Sequence, residues 1–231
     1  MTVDLVSALI DEQFPEWSGR PIRFAADGRD NAVYRLGDDL AVRLPRRQRA
    51  ADRVPERFRA GLLLPPDLPL AVSRAVALGA PGCGYQWRWT IDRWVDGTPA
   101  VGLVELDRAS MDSAALDLAA FVRALAAAGL VHGDLHPANL LIRAGSLVGV
   151  IDFDQLGTGE PAHDLMVAWT FLPRRVRPVF RAASGVDDST WERGRDWAER
   201  FGRMCTEEFP ASSVIGEMGR RTLVELAADA R

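Results

Sequence analysis

The sequence predicts an α+β fold in two lobes, a strand-rich N-terminal lobe at residues 1–95 and a helical C-terminal lobe at residues 96–231. Short apolar runs separated by turn residues fill most of the first lobe. Beyond it, apolar residues recur at helical spacing, as in Leu118, Phe121, Val122 and Leu125. The pattern changes near Trp94–Pro99, which predicts a cleft between the lobes.

The first lobe is predicted to contain a helix, a hairpin, a charged helix and two further strands. Each element ends at or just before Gly, Pro or Asp, residues that favour turns. In chain order the elements occupy residues 3–14, 31–37 with 40–45, 46–64, 71–79 and 87–95. Pro55 predicts a break or a new start in the charged helix, because proline lacks the N–H that a helix interior needs.

The second lobe is predicted to be helical except for one hairpin. Its helices are expected at residues 112–128, 162–172, 174–183, 189–209 and 217–230. The hairpin joins the short apolar strands LLI and LVGVI, residues 140–142 and 147–151. Arg143–Ser146 supplies a plausible turn between them.

The composition excludes several classes of protein. A net charge of −4 provides no basic field for nucleic acid, and all 28 basic residues are arginine. The two cysteines, Cys83 and Cys205, are far apart and form neither a zinc pattern nor a disulfide framework. No uncharged apolar run approaches the ~18 residues of a membrane span, and the acidic N-terminus is unlike a signal peptide. We therefore expect a cytoplasmic protein that binds neither nucleic acid nor membrane.

Polar residues gather where the predicted hairpin begins and ends. Asn139 and Asp152 are equally far from a chain reversal near Gly145–Ser146, so antiparallel pairing places them at the same end. His132 and Asp134, just upstream, are brought to that end as well. An amide oxygen and a carboxylate suit Mg²⁺, which also prefers substrate phosphates. A further carboxylate that is not a ligand can accept a proton.

The spacing matches a known phosphoryl-transfer pattern. Asp134-x₄-Asn139 followed by Asp152-Phe153 fits D-x-x-x-x-N … D-F-G. The segments HGDLHPANLL and GVIDFDQLGTGEPAHDL resemble the aminoglycoside phosphotransferase family, which is related to protein and choline kinases. NAVYRLGDDLAVRLP and IDRWVDG resemble the nucleotide-covering hairpin and the interlobe hinge of that family, and GVDDSTWERGRDWA and the last helix resemble its closing helices. The resemblance covers most of the chain and implies a bilobal, protein-kinase-like fold.

The resemblance implies a role for each matching residue. Asp134 would orient the acceptor hydroxyl and accept its proton, while Asn139 and Asp152 would hold Mg²⁺ on the phosphates of ATP or GTP. His132 would brace the catalytic loop, and His136 would order that loop or contact phosphate. The remaining implied nucleotide contacts are the side chain of Arg43 and the backbone of Ile91, Asp92, Arg93 and Trp94.

Three positions depart from the family pattern. Arg43 stands where most kinases have a phosphate-binding lysine; it keeps the charge but has a different geometry. The sequence does not identify the acidic helix residue that would pair with it, since Glu56, the nearest to the expected place, lies between Pro55 and Arg57. Asp154 falls on the third letter of D-F-G.

The segment between the hinge and the catalytic loop is short. Residues 98–131 contain one predicted helix, whereas the family usually has several there. The chain is then either a compact kinase or an internally deleted, pseudokinase-like binding protein with weak or no transfer activity. The internally deleted form would need a partner to cover exposed apolar surface, and a homodimer that covers the shortened lobe is the arrangement we expect.

Other interpretations remain open for several residues. His132-x-Asp134-x-His136 resembles a metal-hydrolase pattern, although Gly133 and Pro137 favour a loop. Asp164 either caps a helix or, as the resemblance implies, braces the catalytic loop. Trp87 and Trp89 are expected in the core, on one face of a strand.

The expected activity is transfer of the terminal phosphate of ATP or GTP, with Mg²⁺, to a hydroxyl of a small molecule. The resemblance implies an aminoglycoside, a macrolide or a metabolite as the acceptor, and hence an antibiotic-resistance type of enzyme. The residues alone do not choose between these acceptors.

Overall fold

A computed structural model describes residues 1–28, 30–101 and 106–229. These residues form two compact units, Met1–Leu63 with Val72–Val95 and Leu64–Ala71 with Asp96–Arg231. Antiparallel strands dominate the first unit and helices the second, which confirms the predicted α+β class. The assignment of residues 1–95 to nucleotide covering and of residues 96–231 to catalysis stays a prediction.

The first unit is a five-stranded antiparallel sheet with two helices. Its sheet order is β1-β2-β3-β6-β5. Its elements are α1 (Val3–Gln13), β1 (Ile22–Asp27), β2 (Asn31–Leu36), β3 (Leu40–Pro45), α2 (Gln48–Leu62), β5 (Ala75–Gly79) and β6 (Trp89–Arg93). Between α2 and β5, the two residues of β4 (Ala71–Val72) pair in the other sheet.

Strand β6 is covered on both faces. Trp89 and Ile91 join an apolar core to which α1 contributes Val6, Leu9 and Ile10. Because side chains alternate along a strand, Thr90 and Asp92 lie on the other face, where Arg57 of α2 contacts both. Trp89 is fully buried, as expected, whereas Trp87 is only partly buried.

Helix α2 runs unbroken through Pro55, so the predicted break there is wrong. Its buried residues Ala51, Val54, Arg57 and Gly61 recur every three or four positions and pack one face on the sheet. Tertiary packing of this face keeps the helix continuous despite the missing N–H of Pro55.

Two further strand assignments differ from expectation. Strand β1 lies outside the predicted strands, and five of its six residues are exposed. The single strand expected at 71–79 is two strands, β4 and β5, in different sheets. The chain turns between them, where the N–H of Arg74 bonds to the carbonyl of Val72.

The second unit surrounds a small sheet with helices. The sheet order is β4-β9-β8-β7. The further elements are β7 (Thr98–Pro99), α3 (Arg108–Ala127), β8 (Leu140–Arg143), β9 (Ser146–Val150), α4 (Val167–Thr170), α5 (Arg177–Ser184), α6 (Asp188–Glu208) and α7 (Val214–Asp229). The helix expected at 162–172 is a 3₁₀ segment, Pro161–Met166, followed by the single turn of α4. The predicted end of the last helix at residue 230 lies outside the described residues.

Helices α6 and α7 pack closely along glycines. A Cβ on Gly219 would lie 2.6 Å from the Cβ of Cys205 and 2.9 Å from the carbonyl oxygen of Gly202. Within the described ranges, no helix is both long enough and apolar enough to cross a membrane.

Candidate active site

Strands β8 and β9 form the predicted hairpin. The chain reverses at Ala144 and Gly145, whose φ angles are 50° and 75°. At the other end, the N–H of Ile151 donates to the carbonyl of Asn139 at 2.9 Å. Asn139 therefore lies beside the residue that precedes Asp152, as the antiparallel register predicted.

Asp134 and Asn139 contact each other within the loop that precedes β8. The side-chain nitrogen of Asn139 donates to the backbone carbonyl of Asp134 at 2.8 Å and to its carboxylate at 3.2 Å. This amide closes the loop into a compact turn. The other carboxylate oxygen of Asp134 lies 3.2 Å from Nε2 of His136.

His136 is oriented from both sides of its ring. Its Nδ1 accepts the N–H of Ala138 at 3.3 Å, so Nε2 carries the proton that meets Asp134. The ring also packs against Phe201, with centroids 5.0 Å apart. Burial and these contacts hold the imidazole towards Asp134, which fits the loop-ordering role.

His132 links this loop to the end of β9. Its Nδ1 accepts the N–H of Asp134 at 3.2 Å, and its Nε2 lies 3.1 Å from the carbonyl oxygen of Ile151. A neutral ring with the proton on Nε2 satisfies both bonds. The ring packs against Phe153, with centroids 4.6 Å apart.

The buried carboxylate of Asp164 holds the backbone of the loop that contains His132 and Asp134. Its carboxylate accepts the backbone N–H of His132 at 2.7 Å and that of Gly133 at 2.9 Å. Gly133 has φ 75°, and a Cβ there would lie 2.9 Å from the carbonyl oxygen of Gln155, so the position requires glycine. The sequence left two structural roles open for Asp164, a helix cap and a brace of the catalytic loop. These hydrogen bonds match the second role.

The two carboxylates have opposite pKa shifts. Burial raises the pKa of Asp164 above its usual value, because the hydrogen bonds to it only partly compensate the lost hydration. Burial also raises the pKa of Asp134, but the hydrogen bond from His136, with smaller effects of His132 and Asn139, outweighs it and leaves this pKa lowered. Asp134 is therefore ionised at neutral pH.

Asn139 and Asp152 provide oxygen donors that fit Mg²⁺. The amide nitrogen of Asn139 bonds to Asp134, which leaves the amide oxygen for a cation. Asp152 has the left-handed φ of 64° and begins the short turn Phe153–Gln155. That conformation is uncommon for residues other than glycine and occurs preferentially at functional sites.

The metal-hydrolase interpretation does not fit the geometry. Both ring nitrogens of His132 are used in bonds to backbone groups, so neither is left for a metal. His163 stacks on Trp197, with centroids 4.0 Å apart and ring planes 16° apart. Over residues 1–28, 30–101 and 106–229, no three His, Cys, Asp or Glu side chains are grouped to hold a metal ion.

In the first unit, Asp92 is the acid near Arg43. One guanidinium nitrogen of Arg43 lies 4.0 Å from the Asp92 carboxylate, and Arg57 approaches the same oxygen to 3.3 Å. Arg57 also donates to the hydroxyl of Thr90. Asp92 is fully buried and Arg57 is 7% exposed, so this is an interior charge cluster. Arg57 and Thr90 were not among the predicted site residues; Arg57 was noted only as a neighbour of Glu56.

The backbone of residues 91–94 is largely engaged within the first unit. Ile91 and Asp92 pair with β3 on one side and β5 on the other. The N–H of Arg93 donates to Arg74, and the N–H of Trp94 donates to the carbonyl of Asp39. The implied contact of this segment with a nucleobase stays a prediction.

Sequence comparison identifies one family. The profile of the APH family, described as a phosphotransferase enzyme family, matches residues 21–129 and 105–198. A protein described only as uncharacterized, from Deinococcus radiodurans, is 49% identical over 41 residues, which are 18% of this chain and 12% of that relative. The match thus spans a small part of the relative's length.

Several solved structures share the fold. The GDP complex of an aminoglycoside 2'-phosphotransferase-IIIa has a TM-score of 0.74 and 18% identity, over 99% of this chain and 100% of that chain. A streptomycin–ATP complex of APH(2")-IIa has a TM-score of 0.67 and 14% identity, over 94% of both chains. A macrolide 2'-phosphotransferase from Brachybacterium faecium has a TM-score of 0.64 and 19% identity, over 96% of this chain and 97% of that chain. At these identities the likeness concerns the fold.

Proposed function

The chain belongs to the APH family of phosphotransferase enzymes, and on this basis we propose that it transfers the terminal phosphate of ATP or GTP to a hydroxyl of a small molecule. The observation that carries the proposal is the loop around Asp134. Its carboxylate is held between His136 and Asn139, at the end of the hairpin that leads to Asp152.

Asp134 is the proposed catalytic residue. It accepts a hydrogen bond from the acceptor hydroxyl and turns the oxygen towards the terminal phosphorus. As the new oxygen–phosphorus bond forms and the bond to the bridging oxygen breaks, the hydroxyl proton moves to the Asp134 carboxylate. A carboxylate of lowered pKa suits a loose transition state, in which the hydroxyl loses its proton late.

Asn139 and Asp152 are proposed to hold Mg²⁺ through their oxygens. Such an ion neutralises charge on the nucleotide phosphates. His136 keeps Asp134 in position through its Nε2 proton, and His132 ties the loop to the carbonyl of Ile151. These side chains thus fix the acceptor-facing oxygen relative to the hairpin end.

Arg43 is proposed to contact the nucleotide phosphates. Asp92 pairs with it, and Arg57 in turn holds Asp92. We assign Arg57 a positioning role, because its own guanidinium is committed to Asp92 and Thr90. The acid of this pair thus comes from a strand, where many kinases use a helix.

The rival proposal is a binding protein without transfer activity. It assumes that helices between the hinge and the catalytic loop have been deleted from residues 98–131. The fold match over 99% of this chain and 100% of an aminoglycoside phosphotransferase chain does not favour it. The cytoplasmic location and the homodimer stay predictions.

The proposal is tested by phosphate transfer from Mg²⁺-ATP and Mg²⁺-GTP to a panel of aminoglycosides, macrolides and amino alcohols. Asp134→Asn should reduce transfer by at least about 100-fold, the lower range for general base catalysis, while nucleotide affinity is kept. Asp196→Asn, an exposed change on α6, is the matched control and should behave like the parent.

Two results would count against these roles. Transfer by Asp134→Asn at the parent rate would remove Asp134 from catalysis. Nucleotide binding by the parent, with no transfer to any acceptor of the panel, would favour the binding protein.

A further inference from the structure

A cavity of about 360 Å³ adjoins the catalytic loop within the second unit. Pro137, which follows His136 directly, forms part of its wall. The other walls come from helices α3 and α7, the end of α4 and the segment 211–213. The apolar lining includes Ala100, Met111, Pro137, Phe171, Val214 and Met218. Its size is at the lower end of the range for small-molecule sites, which is roughly 300–1,000 Å³.

Five of the thirteen described lining residues have polar side chains, and two of these are charged. Its acid is Glu217, whose carboxylate already forms an ion pair with Arg220. Its cation is Arg221, which is exposed. The hydroxyl of Ser213 donates to the carbonyl of Pro210 and accepts the N–H of Gly216. This side chain is therefore satisfied within the segment.

Thr170 adds a buried hydroxyl to the wall. It is 9% exposed, and its oxygen has no hydrogen-bond partner among the described residues. A buried hydroxyl without a partner costs free energy, so a polar atom in its reach would be favoured. Ser212, on the exposed segment before α7, supplies another hydroxyl.

The balance of charge disfavours a polycation. An aminoglycoside carries several ammonium groups, and each one that loses water needs a carboxylate or several oxygen acceptors. The described lining has one carboxylate, which Arg220 neutralises, and a further positive charge on Arg221. Several ammonium groups placed here would meet repulsion, and no unpaired acid among the described lining residues.

We propose that this cavity binds the body of the phosphate acceptor, and that the acceptor is a predominantly apolar, hydroxyl-bearing molecule with no more than one positive charge. The inference rests on the proposed phosphotransfer, because it takes the loop of Asp134 as the site of chemistry. The apolar walls bind the carbon skeleton, and the hydroxyls of Thr170 and Ser212 and the guanidinium of Arg221 meet oxygens of the ligand.

The first test compares two probes by calorimetry on the full chain, without nucleotide. Erythromycin is apolar and rich in hydroxyls with one amine, and kanamycin is a polycation. Erythromycin should bind at least about tenfold more tightly, a difference of about 1.4 kcal/mol. Equal or tighter binding of kanamycin would overturn the inference, and so would the absence of binding by both probes.

The second test uses two substitutions on one helix. Val214 and Val224 are both exposed positions of α7, at 54% and 67%, but of the two only Val214 lines the described cavity. Val214→Trp should weaken erythromycin binding by about tenfold or more because the indole occupies the cavity, whereas Val224→Trp should not change it. Equal effects of both substitutions would place the ligand elsewhere.

The inference and the proposed function can fail separately. Binding is measured without nucleotide, so it does not depend on transfer. If erythromycin binds as described but no phosphate is transferred, the proposed activity fails and the cavity assignment stands. If phosphate is transferred to kanamycin instead, the activity stands and the acceptor class is wrong.

Discussion

In many kinases a helix supplies the acid that pairs with the phosphate-binding cation. Here helix α2 supplies Arg57 instead, and Arg57 forms a buried ion pair with Asp92. The inward face of α2 repeats every three or four residues and includes Arg57, while Glu56, about 100° away around the helix, is exposed. The charged residue of α2 that faces the sheet is therefore Arg57, a cation. Asp92 provides the negative charge and receives both Arg57 and Arg43.

Replacement of Arg57 should be costly. Arg57→Met removes the nearer cation from the buried carboxylate of Asp92, leaves Arg43 at 4.0 Å, and should lower the free energy of unfolding by about 3–5 kcal/mol. Urea denaturation measures the change. Arg59→Met, on the exposed side of the same helix, is the control and should stay within about 0.5 kcal/mol of the parent.

Nucleotide affinity gives a second measurement for the same variants. If Arg57 positions Asp92 and Arg43, Arg57→Met should weaken Mg²⁺-ATP binding, and Arg57→Lys should restore part of it. Stability and affinity equal to those of Arg59→Met would show that the buried pair contributes nothing.

At the scale of elements, glycines set how closely α6 and α7 pack. Gly219 faces Cys205, whose thiol is fully buried and whose pKa burial raises to about 12. Such a thiol is protonated and shielded at neutral pH, so it should resist alkylation. Cys83 is exposed and reacts as a reference, although its bond to Glu12 raises its pKa.

Gly219→Ala should separate these helices. The added Cβ would lie 2.6 Å from that of Cys205, and overpacking of this kind costs roughly 1–3 kcal/mol. Urea denaturation should show the loss, and iodoacetamide should modify Cys205 faster. Gly61→Ala is the control: no described atom lies within 4 Å of its added Cβ, and stability should rise by up to about 1 kcal/mol. A stabilising Gly219→Ala would contradict the close packing.

At the scale of the whole molecule, ligand binding should couple to stability. A ligand that binds only the folded chain at 100 times its Kd adds about 2.7 kcal/mol, which for a chain of this length raises Tm by roughly 5–10 °C. We expect this shift with Mg²⁺-ATP or Mg²⁺-GTP in a thermal scan. EDTA should abolish most of it, and Asp152→Ala should show little dependence on Mg²⁺. A full shift in Asp152→Ala would remove this residue from the metal site.

The family match also belongs to this scale. It extends over residues 21–129 and 105–198, and therefore includes both the strand-rich and the helical parts of the chain. The cavity beside Pro137 depends on α7, which lies beyond residue 198. The acceptor cavity that we propose therefore includes a region that the family profile does not cover.

Local spacing was enough to predict the hairpin and the meeting of Asn139 with the end of β9, and the resemblance of several segments to a known family indicated the family. A tight reversal has few conformations, so residues equally far from it must come together. Contacts between distant segments were out of reach of such reasoning. Arg57 and Asp92 are 35 residues apart, and the continuous α2, the split of residues 71–79 and the apolar cavity all depend on which faces pack together. Packing of this kind minimises the free energy of the whole chain, and no single segment carries enough of it to be read in isolation.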